Sequence, residues 1–233
     1  MRKTFFSLLL ALLSTFSSGF PVFSEISHLR VETISDDSID NQILYNGRLW
    51  QNLLMKTDGD EFFLSSGFLP GRVTIDNKPF NKVQLKYDLF KDELLILKPN
   101  GTIILMNDEI VNSFSLVFNN ETYFFRKFID TVSPLKGYVN VLYDGDLKVY
   151  AKYRKEILPP TITNGLAKFN QINQIYIKKE NDIIRINSKR GLLDLLGNID
   201  EIKDFIRVNR IRVSVKNPVG FKRVVEYYDS LKK

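Results

Sequence analysis

The chain has no cysteine, one histidine, one tryptophan and three methionines in 233 residues. Without cysteine there are no disulfides, thiolate metal ligands, cysteine nucleophiles or acylated N-terminal cysteine. The one histidine, His28, lies in a polar, unpatterned stretch near the start. His-dependent catalytic triads and multi-histidine metal sites are therefore excluded. The sequence has no G-x-x-x-x-G-K-[ST] run to cradle phosphates, and no G-x-G-x-x-G opening a helix after a strand. A D-x-[DN]-x-[DN]-G calcium loop is also missing. No metal and no cofactor is expected. Past residue 16 no segment approaches 18 uninterrupted apolar residues, so no transmembrane helix is expected.

What is present begins with an address. Arg2 and Lys3 precede the Phe- and Leu-dominated run 5–16, and Val22 and Ser24 occupy the −3 and −1 positions of a small-residue cleavage site. This pattern predicts a signal peptide over residues 1–24, removed after Ser24. An exported chain without disulfides fits a Gram-negative bacterium, in the periplasm or on the outer cell surface. The cleaved protein is expected to be soluble.

Charge is unevenly distributed. The whole chain carries a formal net charge of +6. Residues 25–135 hold 11 basic and 16 acidic side chains, whereas residues 136–233 hold 20 basic and 11 acidic ones. The second half is therefore suited to an anionic surface polymer or an acidic envelope protein. An exported protein seldom meets nucleic acid, and none is expected as a partner.

Residues 25–42 read as an extended N-terminal arm. From Ile43 short apolar runs alternate with turn residues about every 8–12 positions, which predicts an antiparallel β region over 43–132. The runs include EFFLSS (61–66), GRVTI (71–75), FNKVQLKYD (80–88) and ELLIL (93–97). Val83, Leu85 and Tyr87 alternate with Gln84, Lys86 and Asp88. Asn100-Gly101 is read as a hairpin turn whose two central residues tolerate positive φ. DTVSPLKG (130–137) is the candidate boundary, because the charge balance changes sign there. Hairpins are expected over 138–154, turning at Asp144-Gly145, and over 174–187.

The period then becomes helical. Ser188 is predicted to cap a helix ending at Gly197. Asn198 is predicted to cap a second, with Glu201 three residues on and Ile199, Ile202, Phe205 and Ile206 as its apolar stripe. Asn217-Pro218 opens a third, lined by Phe221, Val224, Tyr228 and Leu231. IRVSV (211–215) reads as a short strand. The region 133–233 is thus β-hairpins followed by a helical segment. The expected fold is mainly β (α+β): an antiparallel meander, roll or two-layer sheet with two or three C-terminal helices.

With histidine and cysteine gone, carboxylates are the remaining catalytic groups. Asp88, Asp92 and Glu93 lie close together in sequence, with Trp50 or Tyr87 as a sugar platform, and a glycosidase needs two such acids. The plainer reading is that these acids sit at the corner of a β-hairpin, and no residue is assigned as catalytic. The better site candidate is an aromatic and basic sheet face. If Tyr143 pairs with Asp146 across a two-residue loop, then Tyr143, Lys148, Tyr150, Lys152 and Arg154 share one surface suited to a sugar or lipid headgroup. The competing reading is cross-strand stabilisation of the sheet.

YNGRLW (45–50), LPGRVTID (69–76), LKYDLFKDELLIL (85–97), LKGYVNVLYDG (135–145), INSKRGLLDLL (186–196) and VVEYYDSL (224–231) carry a resemblance. By these stretches the chain resembles an uncharacterised family of exported β-rich envelope proteins of Bacteroidota-like Gram-negative bacteria. The resemblance implies an envelope address and the order strands, then helices. The expected function is a non-enzymatic envelope protein that binds a partner protein or surface polymer through a sheet face. A carboxylate-based glycan hydrolase and an accessory subunit of an envelope or export machine are the alternatives.

Overall fold

The computed structural model describes residues 42–52, 57–129, 133–160 and 165–232. The predicted signal peptide, and the arm up to residue 41, lie outside the described residues. The fold is mainly antiparallel β with C-terminal helices, as the sequence predicts. Among the described residues one sheet contains β1 (Gly47–Leu49), β2 (Leu69–Ile75), β3 (Lys78–Asp88), β4 (Glu93–Leu97), β5 (Ile103–Met106), β6 (Val111–Phe118), β7 (Glu121–Phe128), β8 (Gly137–Asp144), β9 (Lys148–Leu158), β10 (Lys168–Lys179) and β11 (Asp182–Ile186). Three helices follow: α1 (Lys189–Leu195), α2 (Asp200–Val208) and α3 (Val219–Ser230).

The strand order is β1-β5-β4-β3-β2-β6-β7-β8-β9-β10-β11, antiparallel throughout. Three strands separate β5 from β6, yet only residues 107–110 join them. At about 4.8 Å between neighbours, four spacings cover roughly 19 Å. Five extended peptide steps reach roughly 17 Å. A flat sheet cannot be closed by that connection, so β2 to β6 curl. A bulge helps. Gly71 pairs with Val83 and Arg72 with Asn81, which leaves Lys82 unpaired with φ 56°. Gly71 itself cannot be replaced, because a Cβ there would lie 2.2 Å from the Ser115 carbonyl oxygen.

Curling brings the end of β3 to β9. The Lys155 amide donates to the Leu89 carbonyl at 3.1 Å, the Leu89 amide to Glu61 at 2.9 Å, and the Phe63 amide to Tyr87 at 2.9 Å. Inside, Phe63, Tyr87, Phe114, Phe125, Tyr138 and Tyr153 form one aromatic nest, with Phe114 and Phe125 stacked at 4.8 Å. The helices extend this core with Leu192, Ile202, Ile206, Phe221, Val224 and Val225. A second cluster of Leu135, Val139, Tyr150 and Tyr176 also buries alternate residues of β8, β9 and β10. The alternating stripe Val83, Leu85, Tyr87 is buried.

Several local expectations give way. EFFLSS is not a strand; Phe62 makes a single bridge to Asp88, and the segment is held by the backbone bonds to Tyr87 and Leu89 and by the Lys155 side chain of β9. The Asn100-Gly101 hairpin exists, but its turn centres on Pro99 and Asn100. The Gly101 amide bonds back to Lys98, and among these residues Gly101 has positive φ, 84°. Proline fixes φ near the value the first turn position needs, which pulls the turn one residue back.

The 143–149 hairpin has a longer loop than expected. Asp144 pairs with Lys148 and Tyr143 with Val149, then the register shifts so that Val141 pairs with Tyr150. Asn198 is not the cap of α2: its φ is 54°, its amide side chain bonds Asp194, and Ile199 takes the cap position. Ser188 caps α1 as predicted, its Oγ accepting from the Gly191 amide at 3.1 Å. The helix predicted at Asn217-Pro218 starts one residue later, with Pro218 at the cap. Leu231 is 46 % exposed and does not line its inner side. Residues 211–215 form no strand beyond a bridge between Ser214 and Asn217.

The sheet continues through the sign-change region, since Phe128 pairs with Gly137 across it. The described residues all belong to one compact unit. Among the described residues no helix is long and apolar enough to cross a membrane.

Candidate functional site

The site is built on the turn between β3 and β4. Asp88 and Glu93 pair across the hairpin and close a four-residue loop. The Asp88 carboxylate accepts from the Phe90 amide at 2.8 Å and the Lys91 amide at 3.0 Å, so it folds the loop that follows it. Asp92, at φ 61°, turns the chain back into β4. The hairpin-corner reading of these acids therefore describes Asp88. The burial of Asp88 to 1 % exposure goes beyond that reading, which placed it on a polar face. Burial raises its pKa to about 6, with the charges of Glu61 and Glu93 adding to the rise and the two amides opposing it.

Asp92 points across to β9. Its Oδ2 lies 2.8 Å from Lys152 Nζ, and its Oδ1 accepts from the Tyr87 hydroxyl at 2.5 Å. Lys152 also donates to the Tyr138 carbonyl at 3.0 Å, and its side chain is 8 % exposed. Burial and the Asp92 charge hold the Tyr87 phenol well above its ordinary pKa, so it stays a donor. Gly137 makes room for the pair. Its φ is 87°, and a Cβ would fall 2.0 Å from Asp92 Oδ2 and 2.9 Å from Lys152 Nζ.

Around this locked pair opens a cleft of 490 Å³ lined by five cations, Lys91, Lys127, Lys136, Lys152 and Arg154, and two carboxylates, Asp92 and Asp108. Lys152 is spent on Asp92, and Lys127 on Asp108 at 2.8 Å. Lys91, Lys136 and Arg154 have no ion pair among the described residues, and all three are exposed. A smaller depression of 180 Å³ shares Lys91, Asp92, Lys152 and Arg154 and adds Phe90 and Tyr153. Fixed cations on low-dielectric walls concentrate anions.

Of the five residues assigned to the aromatic and basic face, the structure brings Lys152 and Arg154 together in this cleft. It does not bring the others. Tyr150 is 2 % exposed and meets Phe128 edge-on at 5.3 Å, inside the second apolar cluster. Lys148 pairs with Asp144 at the surface. Tyr143 lies over Gly145 and packs against the main core. The cause is the longer loop and the register shift near Leu142, which separate Tyr143 from Tyr150. Sequence reasoning missed Lys91, Lys127 and Lys136. Their only signal is a basic residue at the end of a strand or beside a turn.

The three neighbouring acids end in three surroundings. Asp88 is buried against backbone amides, Asp92 is held by Lys152, and Glu93 meets Arg48 at 3.3 Å in a different pocket. Among the described residues no three His, Cys, Asp or Glu side chains converge as metal ligands do. Comparison with known proteins finds no relative: no family model matches the chain, nor does any curated protein or solved structure.

Proposed function

We propose that the chain is an exported, non-enzymatic envelope protein that binds an anionic group of a surface polymer or partner in the basic cleft. Three exposed cations converge there without a carboxylate of their own, while the two acids among them are already neutralised, Asp92 by Lys152 and Asp108 by Lys127. That observation carries the reading. The leader-like residues 1–24 support the address. The hydrolase reading has one observation in its favour, the raised pKa of Asp88. Its carboxylate, however, is turned into backbone, and Asp92 and Glu93 face different pockets. A binding role uses the geometry better than a two-acid reaction does.

The test is retention on immobilised dextran sulfate with a salt gradient. Lys91→Glu combined with Lys136→Glu is expected to elute at markedly lower salt than the parent. A charge-matched control, Lys179→Glu with Arg190→Glu, lies away from the cleft and is expected to elute close to the parent. Surface charges act over about a Debye length, so position matters as well as net charge. Equal elution of the two double variants would mean that total charge alone drives binding, and the reading would be wrong.

A further inference from the structure

No large apolar side chain among the described residues is more exposed than Ile129, at 80 %. One exposed apolar side chain by itself calls for no cause. The surroundings of this one do. Ile129 follows β7 directly and lines the basic cleft together with Lys91, Lys136 and Arg154. Phe128 before it is anchored, with its ring edge-on to Tyr150 at 5.3 Å. The chain therefore holds an isoleucine in water beside three cations that have no ion pair among the described residues.

A second apolar group borders the same cations. Phe90 sits in the turn between β3 and β4, where its amide donates to the Asp88 carboxylate and its ring meets Phe169 edge-on at 5.9 Å. Its ring is fixed yet still exposed. Phe90 lines the smaller depression, which shares Lys91, Asp92, Lys152 and Arg154 with the cleft. Phe90 and Ile129 thus border adjoining depressions, with Lys91 and Arg154 common to both. The smaller depression adds one cation, Lys155, and one acid, Glu156, so the excess of positive charge stays. Glu156 accepts from the Asn170 side-chain amide at 3.0 Å.

We propose that this face docks on an anionic lipid bilayer, with lipid phosphates at Lys91, Lys136 and Arg154, and with Ile129 and Phe90 entering the boundary between headgroups and acyl chains. The inference rests on the anionic reading of the cleft and names the surface that presents the anions. Cations alone suit any polyanion, because they concentrate anions whatever carries them. Exposed apolar groups beside cations suit a bilayer. A hydrophilic polyanion offers them little apolar surface, whereas an acyl layer removes them from water. Each basic side chain near an anionic bilayer raises binding about fivefold. One inserted apolar side chain adds about tenfold. Together they give reversible docking rather than permanent anchoring.

The experiment is cosedimentation of the exported chain, free of its leader, with two sets of vesicles. One set mixes phosphatidylcholine with phosphatidylglycerol, and the other is phosphatidylcholine alone. The parent is expected to pellet with the first and to stay in solution with the second. Ile129→Ser alters no charge. It is expected to lower the vesicle partition coefficient about tenfold, while retention on dextran sulfate stays as in the parent. It removes an exposed side chain, so its melting temperature is expected to hold. Phe90→Ser is expected to act in the same direction but less strongly, since its ring is partly packed on Phe169. Val208→Ser controls for exposure alone. Val208 is 74 % exposed at the end of α2 and does not line the cleft, and this variant is expected to bind vesicles as the parent does. Ile129→Trp reports insertion directly: its emission is expected to shift to the blue on adding the anionic vesicles, beyond any change in the parent's Trp50. If Ile129→Ser binds vesicles as tightly as the parent, or if phosphatidylcholine alone is bound as well, this inference fails. If the parent is retained on dextran sulfate and ignores both vesicle sets, the ligand is a soluble polyanion; this inference fails and the cleft reading survives. If the parent binds neither, both fail.

Discussion

Ion pairs on β9 and ion pairs on α2 use the same residue types in opposite surroundings. On β9, Lys152 meets Asp92 and Lys155 meets Asp60, with lysine side chains 8 % and 14 % exposed. Each lysine also bonds backbone carbonyls: Tyr138 for Lys152, Asp60 and Phe62 for Lys155. On α2, Lys203–Asp200 and Arg207–Asp204 join neighbours three residues apart, with side chains 42 % to 89 % exposed. The β9 pairs hold segments distant in sequence against a strand, so they decide where the cleft walls stand. The α2 pairs hold residues that the helix already holds. Removing a partner should therefore cost much on β9 and little on α2.

The largest effect is expected from Lys152→Met. The change keeps much of the side-chain volume and leaves Asp92 and the Tyr138 carbonyl without their donor. Breaking a buried pair from one side typically costs about 3–5 kcal/mol. For a domain of this size each kcal/mol corresponds to roughly 2–4 °C in melting temperature. Adding Asp92→Leu should recover part of the loss, because no unpaired carboxylate then remains. Urea unfolding of the two single variants and the double variant measures the coupling. A cost below about 1 kcal/mol for Lys152→Met would show that water screens the pair far more than its burial indicates.

Asp88 sharpens the comparison, since it is a buried acid with amides and, among the described residues, no cation as its partners. Its folded pKa, about 6, stands above the ordinary 3.8. A raised acid contributes stability that is full below 3.8 and is lost as pH rises through 6. At pH 7 the charged group is thus a burden of up to about 3 kcal/mol, at 1.36 kcal/mol per pKa unit. Asp88→Asn keeps an oxygen acceptor for the Phe90 and Lys91 amides and carries no charge. It is expected to stabilise the protein by about 1–3 kcal/mol at pH 7 and to match the parent near pH 4. Denaturant midpoints of parent and variant across that range test the sign. A variant less stable than the parent at pH 7 would mean that the charge is needed by the turn.

Local chemistry was readable wherever it settled the backbone by itself. Asp76-Asn77 and Asn119-Asn120 adopt positive φ in their turns, as their short polar side chains allow. Ser188 caps α1 because its oxygen reaches an orphan amide whatever the rest of the fold does. Sequence reading stopped where tertiary packing chose between local options. The register shift near Leu142 moved Tyr143 off the expected face, and Asn198 became part of the bend after α1 instead of a cap. The site was half legible. Lys152 and Arg154 follow from strand alternation, but Lys91 and Lys136 arrive from connections. A strand period says nothing about residues outside strands, and the curl that gathers them depends on pairing between distant strands.

The smallest effect is expected from Arg207→Ala on α2. Arg207 Nη2 lies 2.8 Å from Asp204 Oδ1, with side chains 77 % and 62 % exposed. Such a pair is worth below about 0.5 kcal/mol, and its position in the last turn adds a few tenths through the helix dipole. Alanine's higher helix propensity offsets a small part of the loss. The net change should lie within about 0.5 kcal/mol and shrink at high salt, where exposed charges are screened. Urea unfolding at low and high ionic strength checks both statements. A salt-independent loss above about 1.5 kcal/mol would be too large for an exposed pair. It would show that the Arg207 stem packs against Ile211 across the groove they share, and that α2 is held in place by that packing.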